Sequence, residues 1–351
     1  MQSLKFAVIG YGYWGPNLVR NLMSLSDCTV QSVCDRDRDR LEHLKRLYPE
    51  VEITSEIDDV TTDDRVDAVV IATPVRFHFE MAKQCLEAGK HTFIEKPMAR
   101  SSQECRELIQ LAEQRQLTLM VGHTFIYSTP VRKIKEIIDA GELGQIQNIN
   151  ARRLNLGLYQ KDINVAWDLA PHDISILLYL LDDMPTSVNC QGRAHVKPGI
   201  EDVTNITLDY ADGTFVTIQS SWLDPNKIRE TVLVGSRRML VYDDLEPNEK
   251  IKIYDKRVEV PPHYDTFAEF QYSYYYGDVY APYLRLAEPL KIECEHFRDC
   301  ILAGAEPMSG GRQGLQVVQI LEAADASLRQ GGSKVEIGRF ADVEALEISL
   351  L

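Results

Sequence analysis

The feature that most constrains the fold is a glycine-rich turn that directly follows a short apolar segment near the start of the chain. Leu4–Ile9 is an apolar run that stops at glycine, which is typical of a buried parallel strand. The turn has the pattern Gly-x-Gly-x-x-Gly over residues 10–15, and a helical pattern begins at its last glycine. Asp35 comes 20 residues after that glycine, at the end of a second predicted strand, Cys28–Cys34. These features together predict a dinucleotide-binding turn and disfavour the alternative of a glycine-rich turn without a ligand.

Each glycine of this turn has a physical task in binding a dinucleotide. Gly10 allows the tight turn, Gly12 lets the backbone approach the pyrophosphate, and Gly15 lets the helix lie close to the strand. The free N–H groups and the positive dipole end at the helix start then favour the phosphates. We expect the pyrophosphate to lie over Gly10, Tyr11, Gly12, Tyr13, Trp14 and Gly15.

Two neighbouring residues bear on which dinucleotide is bound. The Asp35 carboxylate can accept hydrogen bonds from both ribose hydroxyls and repels a 2′-phosphate, which favours NAD over NADP. Arg36 points the other way, since an arginine there can stack on adenine or meet a 2′-phosphate. We therefore expect NAD, with NADP as the less favoured alternative.

Strand–helix alternation with short connections continues to residue 121 and predicts a doubly wound parallel sheet, the Rossmann arrangement. The later predicted strands are Asp67–Ala72, His91–Ile94 and Leu117–Val121. The predicted helices are Gly15–Ser24, a segment containing Leu41, Leu44 and Leu47, Phe79–Ala88 closed by Gly89, and Ser101–Arg115 capped by Ser101 or Ser102. We predict an NAD-binding domain over residues 1–121.

The pattern changes after Gly122, where strands and helices become grouped. This predicts a second domain, residues 122–351, of α+β class with a largely antiparallel open sheet, for substrate binding and oligomerisation. The predicted helices are Pro130–Ala140, Trp167–Leu181, Ile292–Ala303 and Gly314–Gln330. The predicted strands are Gln145–Leu154, a hairpin of Thr204–Tyr210 and Phe215–Ser220, Ile228–Gly235, Met239–Tyr242 and Lys250–Tyr254. Pro261–Tyr283, rich in aromatic residues and proline, is expected to be a long ordered loop.

Two further groups of residues indicate chemistry. Thr73-Pro74 and Glu95-Lys96-Pro97 each follow a predicted strand of the first domain, at the sheet edge that borders a cofactor. This position favours a functional role for Lys96 over that of an ordinary solvated lysine. Asp168 and His172 are four residues apart and share a face if a helix starts near Asp168, with Pro171 in its first turn. From spacing alone, a plain helix cap at Asp168 remains equally open, as does a first-turn dipole role for Asp173.

Composition excludes several classes of function. The net charge of −15 disfavours nucleic acid as a partner. The sequence has no apolar stretch long enough for a membrane helix and no visible secretory signal. The seven cysteines show no C-x-x-C spacing, so we expect reduced, mostly buried thiols in a cytoplasmic protein and no metal site.

With the glycine turn, Glu95-Lys96-Pro97 and Asp168…His172 in this order, the sequence resembles the Gfo/Idh/MocA oxidoreductases over essentially its whole length. The resemblance implies that Lys96 and His172 face the substrate carbon and that Asp168 assists His172 or holds a neighbouring hydroxyl. It also implies that the region of Thr73 and His78 lies near the cofactor, and that the Lys96–Pro97 peptide bond is cis.

The resemblance leaves the substrate open, because His123–Tyr127 and Arg152–Asn155 depart from the inositol dehydrogenase pattern and are more similar to members found in sugar-nucleotide pathways. We expect Tyr127, Arg153, Asn155 and His172 to contact the substrate. We also expect Arg36, Pro74, His78, Glu95 and Lys96 to contact the cofactor.

The resulting hypothesis is an NAD-dependent dehydrogenase acting on a secondary alcohol or ketone of a sugar, polyol or nucleotide-sugar. His172 would act as the acid/base and Lys96 as the alkoxide stabiliser. The alternatives are an NAD-dependent glycoside hydrolase using the same site, and a non-catalytic dinucleotide-sensing regulatory protein. We expect a homodimer or homotetramer built through the second-domain sheet.

Overall fold

The computed structural model describes residues 3–160, 162–259 and 273–338, and its backbone contacts divide the chain into two compact units. The first unit comprises residues 1–128 and 287–322, and the second comprises residues 129–286 and 323–351. Each unit is therefore built from two separate segments, whereas the predicted division at residue 121 treats each domain as continuous. The helix near residue 295 was predicted for the second domain but packs within the first unit, because it lies against the strands there.

The strands in the described residues are β1 (Leu4–Ile9), β2 (Cys28–Cys34), β3 (Glu52–Thr54), β4 (Ala68–Ile71), β5 (His91–Glu95), β6 (Leu119–Gly122), β7 (Ile146–Leu154), β8 (Ser187–Arg193), β9 (Val203–Asp209), β10 (Phe215–Ser221), β11 (Ile228–Gly235), β12 (Met239–Asp243), β13 (Ile251–Glu259), β14 (Ser273–Tyr280) and β15 (Val335–Glu336). The helices are α1 (Gly15–Met23), α2 (Arg38–Leu47), α3 (Ile57–Thr61), α4 (His78–Glu87), α5 (Ser102–Arg115), α6 (Thr129–Asp139), α7 (Val165–Leu181), α8 (Pro289–Ala303) and α9 (Gly311–Arg329).

The first unit contains a six-stranded sheet in which every neighbouring pair is parallel, in the order β3-β2-β1-β4-β5-β6. The order reverses between β1 and β4, which makes the carboxyl ends of these two strands the switch point where a ligand crevice is expected. The predicted doubly wound parallel sheet is confirmed.

The core of this sheet is apolar on both faces, as helices on either side require. β4 is buried along its whole length, and Phe297 of α8 lies between Phe6 and Phe93, at ring-centroid distances of 6.0 Å and 5.7 Å. Two helices of this unit begin at polar caps: the Asp37 side chain accepts hydrogen bonds from two backbone N–H groups of α2, and Ser101 caps α5.

The second unit contains a nine-stranded sheet in the order β14-β13-β12-β11-β7-β10-β9-β8-β15. Only β7 and β10 pair in parallel among the neighbouring strands that the structure describes. Buried and partly exposed residues alternate along β9, as expected for a sheet with one covered face. The long apolar helix α7 packs on β10 and β9. The predicted largely antiparallel sheet is confirmed.

Two predictions about this unit need correction, and four elements of the chain were not predicted. Helix α7 begins at Val165, where Asn164 caps the Trp167 N–H, so the helix starts before Asp168 and Pro171 lies inside it. The tyrosine-rich part of the predicted loop is in fact strand β14, Ser273–Tyr280, while residues 260–272 lie outside the described residues. The short strands β3 and β15, the short helix α3 and strand β8 were not predicted.

Within the described ranges no helix is both long and apolar enough to cross a membrane. All seven cysteines are buried with free thiols, as predicted.

Candidate active site

The glycine turn of the first unit is held by close backbone contacts. Gly10 has φ +99°, and a Cβ atom there would lie 2.6 Å from the Ala72 carbonyl oxygen. A Cβ atom on Gly15 would lie 2.2 Å from the carbonyl oxygen of Gly10. Both positions therefore require glycine for packing within the protein. At Gly12 the nearest atom to an added Cβ is 3.5 Å away, on Arg40, so packing within the protein does not require glycine there.

The start of α1 is the second part of the predicted phosphate-binding turn. No side chain caps this helix, and its second residue is Pro16, which has no N–H group to donate. The turn residues differ in exposure: Tyr11 is buried, Trp14 is half-buried and Tyr13 is 86% exposed. An uncapped helix start beside an open glycine attracts phosphate groups because its N–H groups and dipole point outward.

Asp35 lies beside the turn at the end of β2. Its carboxylate accepts hydrogen bonds from the backbone N–H of Tyr11 at 2.6 Å and of Asp37 at 2.8 Å. The Arg40 guanidinium lies 3.8 Å from the same carboxylate. The Arg36 guanidinium lies 5.8 Å from the centre of the Phe77 ring. Asp35 is thus fixed next to the glycine turn, as the fingerprint predicts.

The ends of β4 and β5 are joined by a buried histidine. His78 is 1% exposed, and its ring nitrogens lie 2.7 Å from the Thr73 carbonyl oxygen and 2.9 Å from the Pro97 carbonyl oxygen. Burial lowers the pKa of His78, although the two neighbouring carbonyl oxygens, which favour the protonated ring, oppose the shift. The predicted cofactor contact of His78 is disfavoured, because both ring nitrogens lie against carbonyl oxygens of the protein. Thr73 itself lies beside Gly10, and Pro74 is exposed.

Lys96 follows β5 at the same edge. The Lys96–Pro97 peptide bond is cis, as predicted, and the Lys96 backbone N–H donates to Glu95 Oε2 at 3.3 Å. Burial raises the pKa of Glu95 to about 7, although the charge of Lys96 opposes the shift. Gly122 leaves the space for this carboxyl, since a Cβ there would lie 3.0 Å from it.

A buried polar cluster beneath this edge was missed from the sequence. Glu293 of α8 accepts a 2.7 Å hydrogen bond from the Thr124 hydroxyl, and burial beside Glu95 raises the pKa of Glu293 well above its usual range. Burial lowers the pKa of His123 to about 3, and the charge of Lys96 adds to the effect, so His123 is neutral. Nothing in the local sequence marks Glu293, because only the fold brings α8 next to β5.

In the second unit, Asp168 and His172 lie on one face of α7 and are both half-buried. The Trp222 indole N–H donates to Asp168 Oδ2 at 3.0 Å. The His172 carbonyl accepts from the Ser175 hydroxyl at 2.8 Å. The shared face was correctly predicted, but the pair lies within the helix and Asp168 is not its cap.

Two residues predicted to contact substrate are core residues instead. Tyr127 is fully buried, with its hydroxyl 2.8 Å from Ser309 Oγ and its ring against His296. Arg153 of β7 makes two 2.8 Å hydrogen bonds to the Asp173 carboxylate of α7, and both side chains are buried. Both side chains are buried and hydrogen-bonded to residues of their own units, which disfavours the predicted substrate contacts. The alternative that Asp173 interacts with the helix dipole in the first turn of α7 is replaced by this ion pair.

Asn155 lies just beyond β7 and is partly exposed. Its backbone N–H donates to the Ser221 carbonyl at 3.1 Å, which fixes the start of a segment containing the exposed Leu156 and Leu158. Its side chain therefore stays a predicted substrate contact. No cluster of three or more candidate metal-ligating side chains occurs in residues 3–160, 162–259 and 273–338.

This combination of a Rossmann sheet, a Gly-x-Gly-x-x-Gly turn and an Asp-x-x-x-His helix defines a class of nucleotide-dependent oxidoreductases, and family comparison agrees. Residues 4–123 match the Gfo/Idh/MocA oxidoreductase family, NAD-binding Rossmann fold, and residues 131–241 match a Gfo/Idh/MocA C-terminal domain. The chain belongs to this family of oxidoreductases, and its first domain is an NAD-binding domain.

Individual relatives are distant but cover nearly the whole chain. The uncharacterised oxidoreductase YrbE of Bacillus subtilis (strain 168) is 26% identical over 94% of this chain and 96% of its own length. The scyllo-inositol 2-dehydrogenase (NADP(+)) IolW of the same strain is 24% identical over 94% and 95%. The crystal structure of GenD2 from gentamicin A biosynthesis, in complex with NAD, is 21% identical, with a TM-score of 0.81 and 97% of each chain covered.

Proposed function

We propose that this protein is an NAD-dependent dehydrogenase that interconverts a secondary alcohol and a ketone on a sugar, polyol or nucleotide-sugar. The observation that carries the proposal is the pair Asp168 and His172 on one half-buried face of α7, in a chain that belongs to an oxidoreductase family. The name of IolW, which specifies an inositol substrate, supports the polyol and sugar class.

The cofactor site that we propose follows the switch point of the first sheet. The turn Gly10–Gly15 holds the pyrophosphate, with Gly12 facing it, and Asp35 accepts the adenosine ribose hydroxyls. Arg36, Thr73, Pro74 and Lys96 border the same edge. IolW is named for NADP(+), but the fixed carboxylate of Asp35 favours NAD in this chain.

In the oxidation direction, His172 takes the proton from the substrate hydroxyl, because an imidazole with an ordinary pKa near 6.5 is a suitable base at neutral pH. Asp168, on the same helix face, stabilises the imidazolium that results. Lys96 stabilises the negative charge that develops on the oxygen. Bound NAD supplies the hydride acceptor. In reduction His172 returns the proton.

The test is NADH absorbance across a panel of polyols, aldoses and UDP-, dTDP- and GDP-sugars, with wild type and two histidine variants. His172→Ala should lower turnover severely and leave NAD affinity nearly unchanged. The matched control His43→Ala removes an exposed histidine from α2 and should keep full turnover. Equal turnover in wild type and His172→Ala would refute the assignment, and release of an aglycone without NADH accumulation would favour the hydrolase.

We also propose a homodimer or homotetramer built through the sheet of the second unit. Large apolar and aromatic side chains are exposed on its strands, including Phe215, Val258, Tyr274 and Tyr276. Surfaces of this kind are usually covered in the assembled protein. Light scattering should give a mass of two or four chains.

The buried free thiols support a cytoplasmic location, where thiols stay reduced.

A further inference from the structure

We propose that Trp222 is a positioning residue whose indole N–H sets the orientation of the Asp168 carboxylate. The inference rests on the proposed function, in which Asp168 supports His172, and it adds a residue that the sequence did not indicate. Trp222 follows strand β10, on which helix α7 packs. Its Nε1 atom donates to Asp168 Oδ2 at 3.0 Å, and its side chain is 1% exposed.

The Trp222 backbone is held by hydrogen bonds on two sides, and its indole lies against Gly157 and Tyr159. The Trp222 N–H donates to the Asp202 carbonyl at 2.9 Å, and the Trp222 carbonyl accepts from the Gly157 N–H at 3.1 Å. A Cβ atom on Gly157 would lie 2.6 Å from Trp222 Cδ1, so only glycine lets this segment lie against the ring. The Tyr159 ring lies 5.1 Å from the indole. The donor therefore points to Asp168 from a rigid frame.

This arrangement also links Asp168 to the segment that begins at Asn155. Asn155 and Gly157 bond through their N–H groups to the carbonyls of Ser221 and Trp222, so the segment and the indole are parts of one hydrogen-bonded frame. A change in the Trp222 ring removes its bond to Asp168 but none of these backbone bonds, so it should alter the orientation of Asp168 and leave the Asn155 segment in place.

The chemistry of the donor suits a carboxylate that must stay charged. An indole N–H only donates, carries no charge and does not titrate. It fixes the position of one carboxylate oxygen. An arginine at this place would fix the carboxylate equally well but would also compensate its charge, and the imidazolium on the same helix face would lose stabilisation.

The chain offers a matched control for this interaction. Trp167 lies on α7 directly before Asp168, is also buried, and donates through Nε1 to Asp325 Oδ2 at 2.9 Å. Trp167→Phe and Trp222→Phe thus each remove one indole–carboxylate hydrogen bond from the same helix. Only the second removes it from a proposed catalytic carboxylate.

The experiment compares the two variants in the full-length protein with NAD and the substrate identified by the panel. Trp222→Phe should lower kcat about 10- to 100-fold, the range that loss of one hydrogen bond to a charged group implies, with KM and NAD affinity within about two-fold. Trp167→Phe should keep kcat within about two-fold. In an Asp168→Asn background, Trp222→Phe should have little further effect, because the carboxylate it orients is gone.

The outcomes separate the two proposals. An unchanged kcat in Trp222→Phe, or an equal loss in the wild-type and Asp168→Asn backgrounds, would overturn the positioning role and leave the proposed function intact. Full activity of both Asp168→Asn and His172→Ala would overturn the proposed function itself. If Trp222→Phe does not fold, benzothienylalanine at position 222 keeps the bicyclic shape without the N–H group, and the same fall in kcat at constant KM is expected.

Discussion

Replacing Arg153 by methionine distinguishes a substrate contact from a buried structural charge. The Arg153 guanidinium makes two 2.8 Å hydrogen bonds to Asp173, and the two side chains are 8% and 4% exposed. Methionine keeps most of the aliphatic stem and removes the charge, which leaves the Asp173 carboxylate buried without its partner. Breaking a buried ion pair in this way costs about 3–5 kcal/mol. A domain has only about 5–15 kcal/mol of stability, so the second unit should be severely weakened.

The assay is equilibrium unfolding in urea, followed by circular dichroism. Arg153→Met and Asp173→Asn should each lower the free energy of unfolding by about 3–5 kcal/mol, and Arg153→Met with Asp173→Leu should recover much of the loss. The matched control is Arg152→Met. Arg152 is 3.6 Å from Glu230, and its side chain is 44% exposed, so its loss should cost about 0–1 kcal/mol.

One combination of results would refute this reasoning. If Arg153→Met changed the free energy of unfolding by less than about 1 kcal/mol and raised KM for the substrate, then Arg153 would have the binding role that its sequence position suggested. A large loss of stability together with an unchanged KM in the residual folded protein would confirm the structural role.

Two further predictions concern the first unit. Because burial raises the pKa of Glu95 to about 7 from an ordinary value near 4.5, its ionisation costs stability as pH rises through that interval. The free energy of unfolding of Glu95→Gln, relative to that of wild type, should therefore rise by about 3 kcal/mol between pH 4 and pH 8 in urea titrations. If this difference between the two proteins did not change with pH, the buried setting of Glu95 would be contradicted. Gly15→Ala should weaken both folding and NAD binding in calorimetric titration, because its Cβ would meet the Gly10 carbonyl at 2.2 Å. Gly12→Ala meets no such contact and should fold normally but bind NAD less tightly. Equal unfolding midpoints for Gly12→Ala and Gly15→Ala would argue against this distinction between the two glycines.

The sequence predicted the first sheet well because its signals are local. β1 and β2 have the predicted bounds, since each is an apolar segment that ends at a glycine or a polar residue. β14 was missed because most of its residues are exposed. Its sequence therefore lacks the alternation of apolar and polar residues that marks a strand with one buried face. The start of α7 was predicted too late in the chain because of Pro171. A proline in the middle of a helix is rare, and the cap at Asn164 was the weaker signal.

The candidate site was less predictable because a polar residue buried in the core and a polar residue that contacts substrate look the same in a sequence. Tyr127 and Arg153 were expected to contact substrate, yet Ser309 and Asp173, both distant in the chain, satisfy their polar groups inside the protein. Glu293 and Trp222 carried no local signal at all. Their roles depend on which strand or helix lies opposite, and that is a property of the tertiary fold alone.

Helix α7 shows why the partner of an aspartate matters as much as its spacing from a histidine. Asp168 and Asp173 lie on the same helix, on either side of Pro171, and both are close to His172 in the sequence. Arg153 gives Asp173 two charged hydrogen bonds, so the negative charge of that carboxylate is balanced and its role is structural. Trp222 gives Asp168 a neutral donor, which fixes the carboxylate without adding a positive charge. A carboxylate held in this orientation can stabilise an imidazolium on the same helix face. The chemistry of the two donors, which come from β7 and from the end of β10, therefore distinguishes the two aspartates and supports the proposal that Asp168, not Asp173, assists proton transfer.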